Sequence, residues 1–293
     1  MIPLVCTTVE EVRWAVADAR AKGLRVGLVP TMGALHAGHA SLIRAARRET
    51  GFVVLWLFVN PTQFGPNEDF ARYPRPFERD REVCRSEGVD LIFALERETV
   101  YPAGFSTWVQ VEEMQDVLEG ATRPGHFRGV CTVVLKMFNM VGPDVAYFGQ
   151  KDAQQVIVLK RMVRDLNVPV EVRVCPTVRE PDGLALSSRN VYLDPEQRRH
   201  AVALFQALGA ARDQVSQGER DAGRVQRSLA ERIRATPGAV LDYAAVVNAA
   251  SLQPVELLSG KVLLALAVRF GATRLIDNLV LEITDEGTAE ASL

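Results

Sequence analysis

The stretch Pro30-Thr-Met-Gly-Ala-Leu-His-Ala-Gly-His39 constrains this chain more than any other. Leu24 to Val29 precede it, a short apolar run that reads as a buried strand. Ala40 to Glu49 follow it, with Leu42, Ile43 and Ala46 at helical spacing and Gly51 just beyond. The stretch is therefore a strand, a glycine-containing loop and a helix N-terminus. Unpaired N–H groups and the partial positive charge at such a helix end suit a phosphate. Gly33 and Gly38 remove Cβ where a ligand approaches backbone, and His36 and His39 add imidazole donors. No Lys-Ser/Thr follows the glycines, so this is not a P-loop, and the dinucleotide Gly-x-Gly-x-x-Gly spacing is missing too. A histidine pair could also ligate a metal, but no Cys or acidic residue flanks the loop to complete a zinc site.

The next strand supports a parallel sheet. Phe52 to Val59 is continuously apolar, as a strand covered on both faces should be, and ends in Asn60-Pro-Thr-Gln63-Phe-Gly-Pro66. Ligands sit outside the carboxyl ends of parallel strands, so if these two strands are neighbours both loops line one crevice. Asn60 and Gln63 would then offer neutral amides, although Asn60-Pro61 equally serves to stop a strand.

The alternation continues. A capping-box signal at Thr7-Thr8-Val9-Glu10-Glu11 opens a helix ending near Gly23. A helix over 76–88, a strand over 89–94, a short helix over 112–120, a polar loop over 123–129, a helix over 130–141 and a strand over 144–148 follow, and Thr107 to Val111 alternate like a strand. Gly149-Gln-Lys-Asp152 is a second strand-to-helix junction, with a further strand over 168–175. Lys151 at a helix start opposes the dipole, a conflict of ~1 kcal/mol or less that fits either an anion partner or a solvated side chain. Beyond Pro176 helices precede strands: helices over 195–217 and 221–236, strands over 241–247, 262–268 and 274–283, and a loose polar tail from Thr284. The expected fold is α/β, a Rossmann-like doubly wound parallel sheet over 1–180 with a smaller α+β C-terminal domain over 181–293.

Bulk properties narrow the classes. The 293 residues carry a formal net charge of −2 with no long basic run, which argues against nucleic acid as a partner. The apolar stretch 52–59 is too short to span a bilayer, and no signal pattern opens the chain. Cys6, Cys84, Cys131 and Cys175 are widely spaced and read as thiols of a reducing compartment. A cytoplasmic protein is expected.

Six segments together resemble the pantothenate synthetase (pantoate–β-alanine ligase) family. They are Pro30 to His39, Phe58 to Phe64, Tyr73-Pro-Arg75, Arg123-Pro-Gly-His-Phe127, Tyr147 to Asp152 with Gln155, and Leu186-Ser-Ser-Arg-Asn190, in the family's order. The His-x-Gly-His pattern alone says only nucleotidyltransferase-like. The resemblance implies that ATP and pantoate form pantoyl adenylate and pyrophosphate, after which the amine of β-alanine displaces AMP. It also implies Mg²⁺, a homodimer and a C-terminal lid domain. By resemblance Met32, Gly33, Ala34, Leu35, His36, Ala37, Gly38 and His39 form the ATP loop, with His39 as proton donor and His36 facing the phosphates. Gly149, Gln150, Lys151 and Asp152 match an ATP-contacting segment, Val178 an adenine contact, and Leu186, Ser187, Ser188 and Arg189 a second phosphate signature. Lys151 and Arg189 would neutralise charge, Gln63 and Gln155 would bind pantoate with Asn60 nearby, and Asp80 matches a position linked to Mg²⁺. Leu186 replaces a common Met and Gln150 a common Glu, neither removing a group the chemistry requires. The competing readings are another His-x-Gly-His adenylyl- or nucleotidyltransferase, an aminoacyl-tRNA synthetase-like protein and a catalytically silent ATP sensor.

Overall fold

The computed structural model describes residues 2–66, 68 and 70–293. The chain divides into two compact units, Met1–Gly149 with Val158–Cys175, and Gln150–Ile157 with Pro176–Leu293.

The first unit is built on β1 (Leu4–Cys6), β2 (Val26–Thr31), β3 (Phe52–Leu57), β4 (Leu91–Ala94), β5 (Val145–Gly149) and β6 (Glu171–Cys175), in the sheet order β1-β4-β3-β2-β5-β6. All neighbours run parallel. The helices are α1 (Val9–Ala21), α2 (Ala37–Glu49), α3 (Phe77–Glu87), the short α4 (Arg97–Val100) and α5 (Glu119–Thr122), α6 (His126–Val141) and α7 (Ala153–Asp165), whose first turn belongs to the second unit. Thr8 closes the expected capping box on α1, its hydroxyl accepting from the Glu11 N–H while the Glu11 carboxylate accepts from the Thr8 N–H. The apolar strands explain the sheet: Val26, Leu28, Val29, Val53, Val54 and Leu55 are wholly buried, each such side chain contributing ~1.5–3 kcal/mol. Because β2 pairs with both β3 and β5, chain order reverses beside β2. Ligands of open α/β sheets bind at such a switch point. Both the motif loop and the Asn60–Gln63 turn therefore leave the same edge of adjacent strands, because β2 and β3 are the neighbours that the expected crevice needed.

The second unit carries α8 (Pro195–His200), α9 (Ala203–Ser216) and α10 (Ala222–Arg234) against an antiparallel sheet of β7 (Ala239–Asn248), β8 (Gly260–Phe270), β9 (Thr273–Thr284) and β10 (Gly287–Ala291), ordered β10-β9-β8-β7. Its core joins Leu204, Leu208, Val225, Leu229 and Ile233 of the helices to Val262, Leu264, Leu266 and Val268 of β8.

Several local expectations are corrected. Residues 107–111 form no strand, although they alternate; the Val109 N–H donates to the Thr132 hydroxyl (3.0 Å) and not to a strand neighbour. The expected helix over 112–120 is a run of turns, and only α5 at its end is helical. α6 begins at His126, four residues early, because Gly125 takes the left-handed conformation (φ 83°) that turns the chain into the helix. The tail expected to be loose pairs as β10 along β9. β1 is too short, at three residues, to leave a pattern in the sequence. All four cysteines are buried free thiols. Among the described residues no helix is long and apolar enough to cross a membrane.

Candidate active site

In the first unit, β2 delivers the motif loop and α2 begins at Ala37. The helix is capped by a histidine: His36 Nδ1 accepts from the Gly38 N–H (3.1 Å), and His39 Nδ1 accepts from the His36 N–H (3.3 Å). With both Nδ1 atoms accepting, each neutral ring carries its proton on Nε2. The two rings lie 4.1 Å apart between centroids. This reciprocal pair replaces the usual Ser/Thr and Glu of a capping box. It also explains Gly38. A Cβ there would sit 2.8 Å from His36 Cε1, so the glycine makes room for the capping ring.

The loop is held from α3. Asp80 is 2% exposed, and its two oxygens accept from the Ala34 N–H (2.9 Å) and the Leu35 N–H (2.8 Å). Those bonds secure Ala34 in the left-handed region (φ 52°), where a side chain costs on the order of 1–2 kcal/mol. Gly33 shares that conformation (φ 85°), and a Cβ on it would meet Asp80 Oδ2 at 3.0 Å. Burial pushes the Asp80 carboxyl up from its ordinary range, while the two loop N–H groups pull the other way. Both oxygens are thus engaged by the loop backbone.

Beside this loop, Asn60 caps the Pro61–Gln63 turn. Its Oδ1 accepts from the Thr62 N–H (3.3 Å), the Thr62 hydroxyl (2.9 Å) and the Tyr101 hydroxyl (2.9 Å). Its Nδ2 donates to the Gly129 carbonyl (3.2 Å) and to Gln63 Oε1 (3.1 Å). Backbone partners on both sides fix which way the Asn60 amide faces, and Asn60 in turn fixes Gln63. The Gln63 carbonyl oxygen of the side chain faces Asn60, and its Nε2 is the donor, 3.3 Å from Met32 Sδ. Asn60, 1% exposed, spends its polar capacity inside the protein. A cavity of about 460 Å³ opens here, lined by Met32, Gly33, Phe58, Pro61, Phe70 and Asp80 among others.

In the second unit, Gln150–Asp152 form a 3₁₀ turn leading into α7, which carries half-buried Gln155. The carbonyls of Gln150 and Lys151 both accept from Asn278 Nδ2 (2.9 Å each). Val178 and Leu186 face each other across a tight hairpin closed by Leu186 N–H to Val178 O (2.9 Å) and Glu180 N–H to Leu184 O (2.8 Å). Arg179 anchors that hairpin to β9 through a two-pronged pair with Asp277 (2.7 and 3.0 Å), donates to Gly183 O (3.0 Å) and stacks 4.7 Å over Phe205. Leu186 then leads into Ser187, whose hydroxyl accepts from the Arg189 N–H (3.3 Å) and caps the turn Ser188–Tyr192. Gly149 ends β5 in the first unit.

Two functional-looking residues escaped the sequence reading. Asp277 and Asn278 are buried (3% and 4% exposed) in the middle of β9. The signal was present: adjacent polar residues interrupt the apolar run Leu275-Ile276 … Leu279-Val280-Leu281. Buried polar groups need partners, and a polar pair inside a core strand implies something specific to bind.

The chain is similar to known proteins over nearly its whole length. Residues 4–280 match the family described as pantoate-beta-alanine ligase. The pantothenate synthetase of Moorella thermoacetica is 60% identical over 278 residues, covering 95% of this chain and 98% of that one. That of Pelotomaculum thermopropionicum is 54% identical over 278 residues, covering 95% and 99%. Among solved structures, pantothenate synthetase from Thermus thermophilus superposes with a TM-score of 0.89 at 51% identity, over 94% of this chain and 98% of that one. Pantoate-beta-alanine ligase from Francisella tularensis, complexed with beta-gamma ATP and beta-alanine, gives 0.75 at 34% identity, over 94% and 97%.

Proposed function

The chain belongs to the pantoate–β-alanine ligase family, and from that premise we propose that it joins pantoate to β-alanine by way of a pantoyl adenylate. A carboxylate oxygen of pantoate attacks the α-phosphorus of ATP, the bond to the bridging oxygen breaks, and pyrophosphate leaves. The amine of β-alanine then attacks the acyl carbon, loses a proton and expels AMP. The observation that carries this reading is the histidine-capped start of α2. It combines helix N–H groups with two imidazoles whose Nδ1 atoms are already engaged, so the Nε2–H groups are the donors for phosphate oxygens.

Charge in the first step spreads over phosphate oxygens, so positioned donors matter more than a nucleophile. His39 and His36 supply such donors, each typically worth ~10²–10³ in rate. His39 is the proton donor. Lys151 and Arg189 supply positive charge, and Ser187 and Ser188 donate to the phosphates. Gly149, Gln150 and Asp152 contact ATP together with Met32, Gly33, Ala34, Leu35, Ala37 and Gly38, while Val178 borders the adenine and Leu186 opens the phosphate-binding signature that Ser187, Ser188 and Arg189 complete. Gln63 and Gln155 are the pantoate amides; the Nε2–H donor of Gln63, beside Met32 Sδ, suits a hydroxyl or carboxylate oxygen. Asn60 acts through Gln63.

Mg²⁺ arrives with ATP. It would be held mainly by phosphate oxygens and waters and would neutralise charge on the phosphates. The protein acts in the cytoplasm as a homodimer. The test is pantoate labelled with ¹⁸O in its carboxylate. One label per turnover must appear in AMP; label in inorganic phosphate, with ADP formed, would mean an acyl phosphate instead.

A further inference from the structure

Gln63 offers its side chain to pantoate, yet the shortest bond at this residue, 2.8 Å, is to its main chain. Gln63 closes a 3₁₀ turn, and its carbonyl would be an unpaired acceptor without help. It receives two donors, one from His126 at the start of α6 and one from Arg123 at the end of α5. His126 Nδ1 lies 2.8 Å from the Gln63 carbonyl oxygen, and Arg123 Nη2 lies 3.2 Å from the same atom. His126 Nε2 lies 3.1 Å from Arg123 Nη1. A guanidinium only donates, so Nε2 must accept, and the ring's single proton must be on Nδ1, where it donates to Gln63. The tautomer is opposite to that of His36 and His39.

The arrangement is built, not incidental. Arg123 is held by a two-pronged pair with Glu68, at 2.6 and 2.7 Å, which fixes the guanidinium plane facing the ring. His126 is 9% exposed. The charges facing it are Arg123, Glu68 and Glu119, and burial with the Arg123 charge lowers its pKa to about 4. The ring is therefore neutral at physiological pH, as the tautomer requires. Asn60 grips the side-chain amide of the same glutamine. Gln63 is thus clamped at both ends, by Asn60 at its amide and by His126 with Arg123 at its carbonyl.

We propose that His126 is a positioning residue of the ligase: locked as the Nδ1–H tautomer by Arg123, it holds the Gln63 main chain so that the Gln63 amide meets pantoate. The proposal rests on the reading that Gln63 binds pantoate. It assigns His126 no contact with any substrate.

Three variants and one spectrum test it. His126→Phe fills the space but deletes the donor; His126→Asn places an amide N–H near the position of Nδ1. His126→Phe raises the KM for pantoate about 10- to 100-fold, as a misplacement near 1 Å does, and leaves the KM for ATP unmoved. His126→Asn recovers most of the loss. Independently of any variant's folding, ¹⁵N spectra of the wild-type ring show Nδ1 protonated and Nε2 bare. Wild-type pantoate KM in folded His126→Phe overturns the proposal. So does an Asn variant no better than Phe, a parallel rise in both KM values, or a protonated Nε2. Gln63→Met reports separately on the premise: an unchanged pantoate KM there removes the pantoate role of Gln63, and this proposal with it.

Discussion

Replacing Gly129 with alanine sets two effects of opposite sign against each other. Gly129 lies inside α6, and Ala is favoured over Gly in a helix interior by about 1 kcal/mol. Its φ is not in the positive range, so Ala meets no backbone strain. The added Cβ, however, would lie 2.3 Å from the Thr62 carbonyl oxygen, 2.6 Å from its carbon and 2.9 Å from the Gln63 nitrogen. Non-bonded heavy atoms rest at roughly 3.5 Å, so helix and turn must separate by about 1 Å. These are main-chain atoms, which cannot rotate away. Overpacking of this kind costs ~1–3 kcal/mol and outweighs the propensity gain. The movement also pulls the Gly129 carbonyl from Asn60 Nδ2, so the grip on Gln63 loosens. A displacement of about 1 Å in a substrate-orienting group can cost about 10²-fold. Gly129→Ala should therefore melt lower than wild type and lose about 10²-fold in kcat/KM for pantoate, with ATP binding, measured by calorimetry, largely kept. A variant that melts higher and turns over normally would mean that propensity governs this position and that the turn is not tightly docked.

Other outcomes follow from the same geometry. Asp80→Asn turns one acceptor into a donor facing a loop N–H, and should cost about 1–3 kcal/mol in urea unfolding and weaken ATP binding. Excess Mg²⁺ should not restore it; rescue by Mg²⁺ would return Asp80 to the metal. The pKa of His126 is about 4 in the folded chain against 6.5 ordinarily, so between those values the unfolded state binds the extra proton. Stability should accordingly be full above pH 6.5 and fall by up to ~3 kcal/mol as the pH drops to 4, at about 1.36 kcal/mol per unit. His126→Asn should remove that component, and an unchanged acid profile would refute the assignment. His39→Ala should slow adenylation by ~10²–10³-fold while leaving most ATP affinity, read by nucleotide titration; equal loss of both would place the ring's contribution in ground-state binding.

What could be read from the sequence was local. The strand, loop and helix around His36 and His39 are contiguous, so their periodicity and capping signals survive in one dimension, and the apolar run 52–59 announced a buried parallel strand. What could not be read depends on pairs far apart. Nothing near Asp80 shows that it would hold Ala34 and Leu35, 46 and 45 residues away. Arg123 and His126 looked like polar loop residues, because their partner carbonyl belongs to Gln63, 60 and 63 residues earlier. The alternation of residues 107–111 misled, since a strand needs a neighbour as well as a pattern. Gly38 was legible as a close-approach glycine, but the ring two residues before it, which a Cβ there would meet, was not.

An adenylated pantoate held by the histidine-capped helix is tested most directly by ATP–pyrophosphate exchange measured with pantoate and without β-alanine. Labelled pyrophosphate should enter ATP only when pantoate is present, because the first step is reversible and needs no amine. Absence of exchange from protein that binds ATP and, given β-alanine, makes pantothenate would contradict an adenylation step that completes, with pyrophosphate released, before the amine arrives.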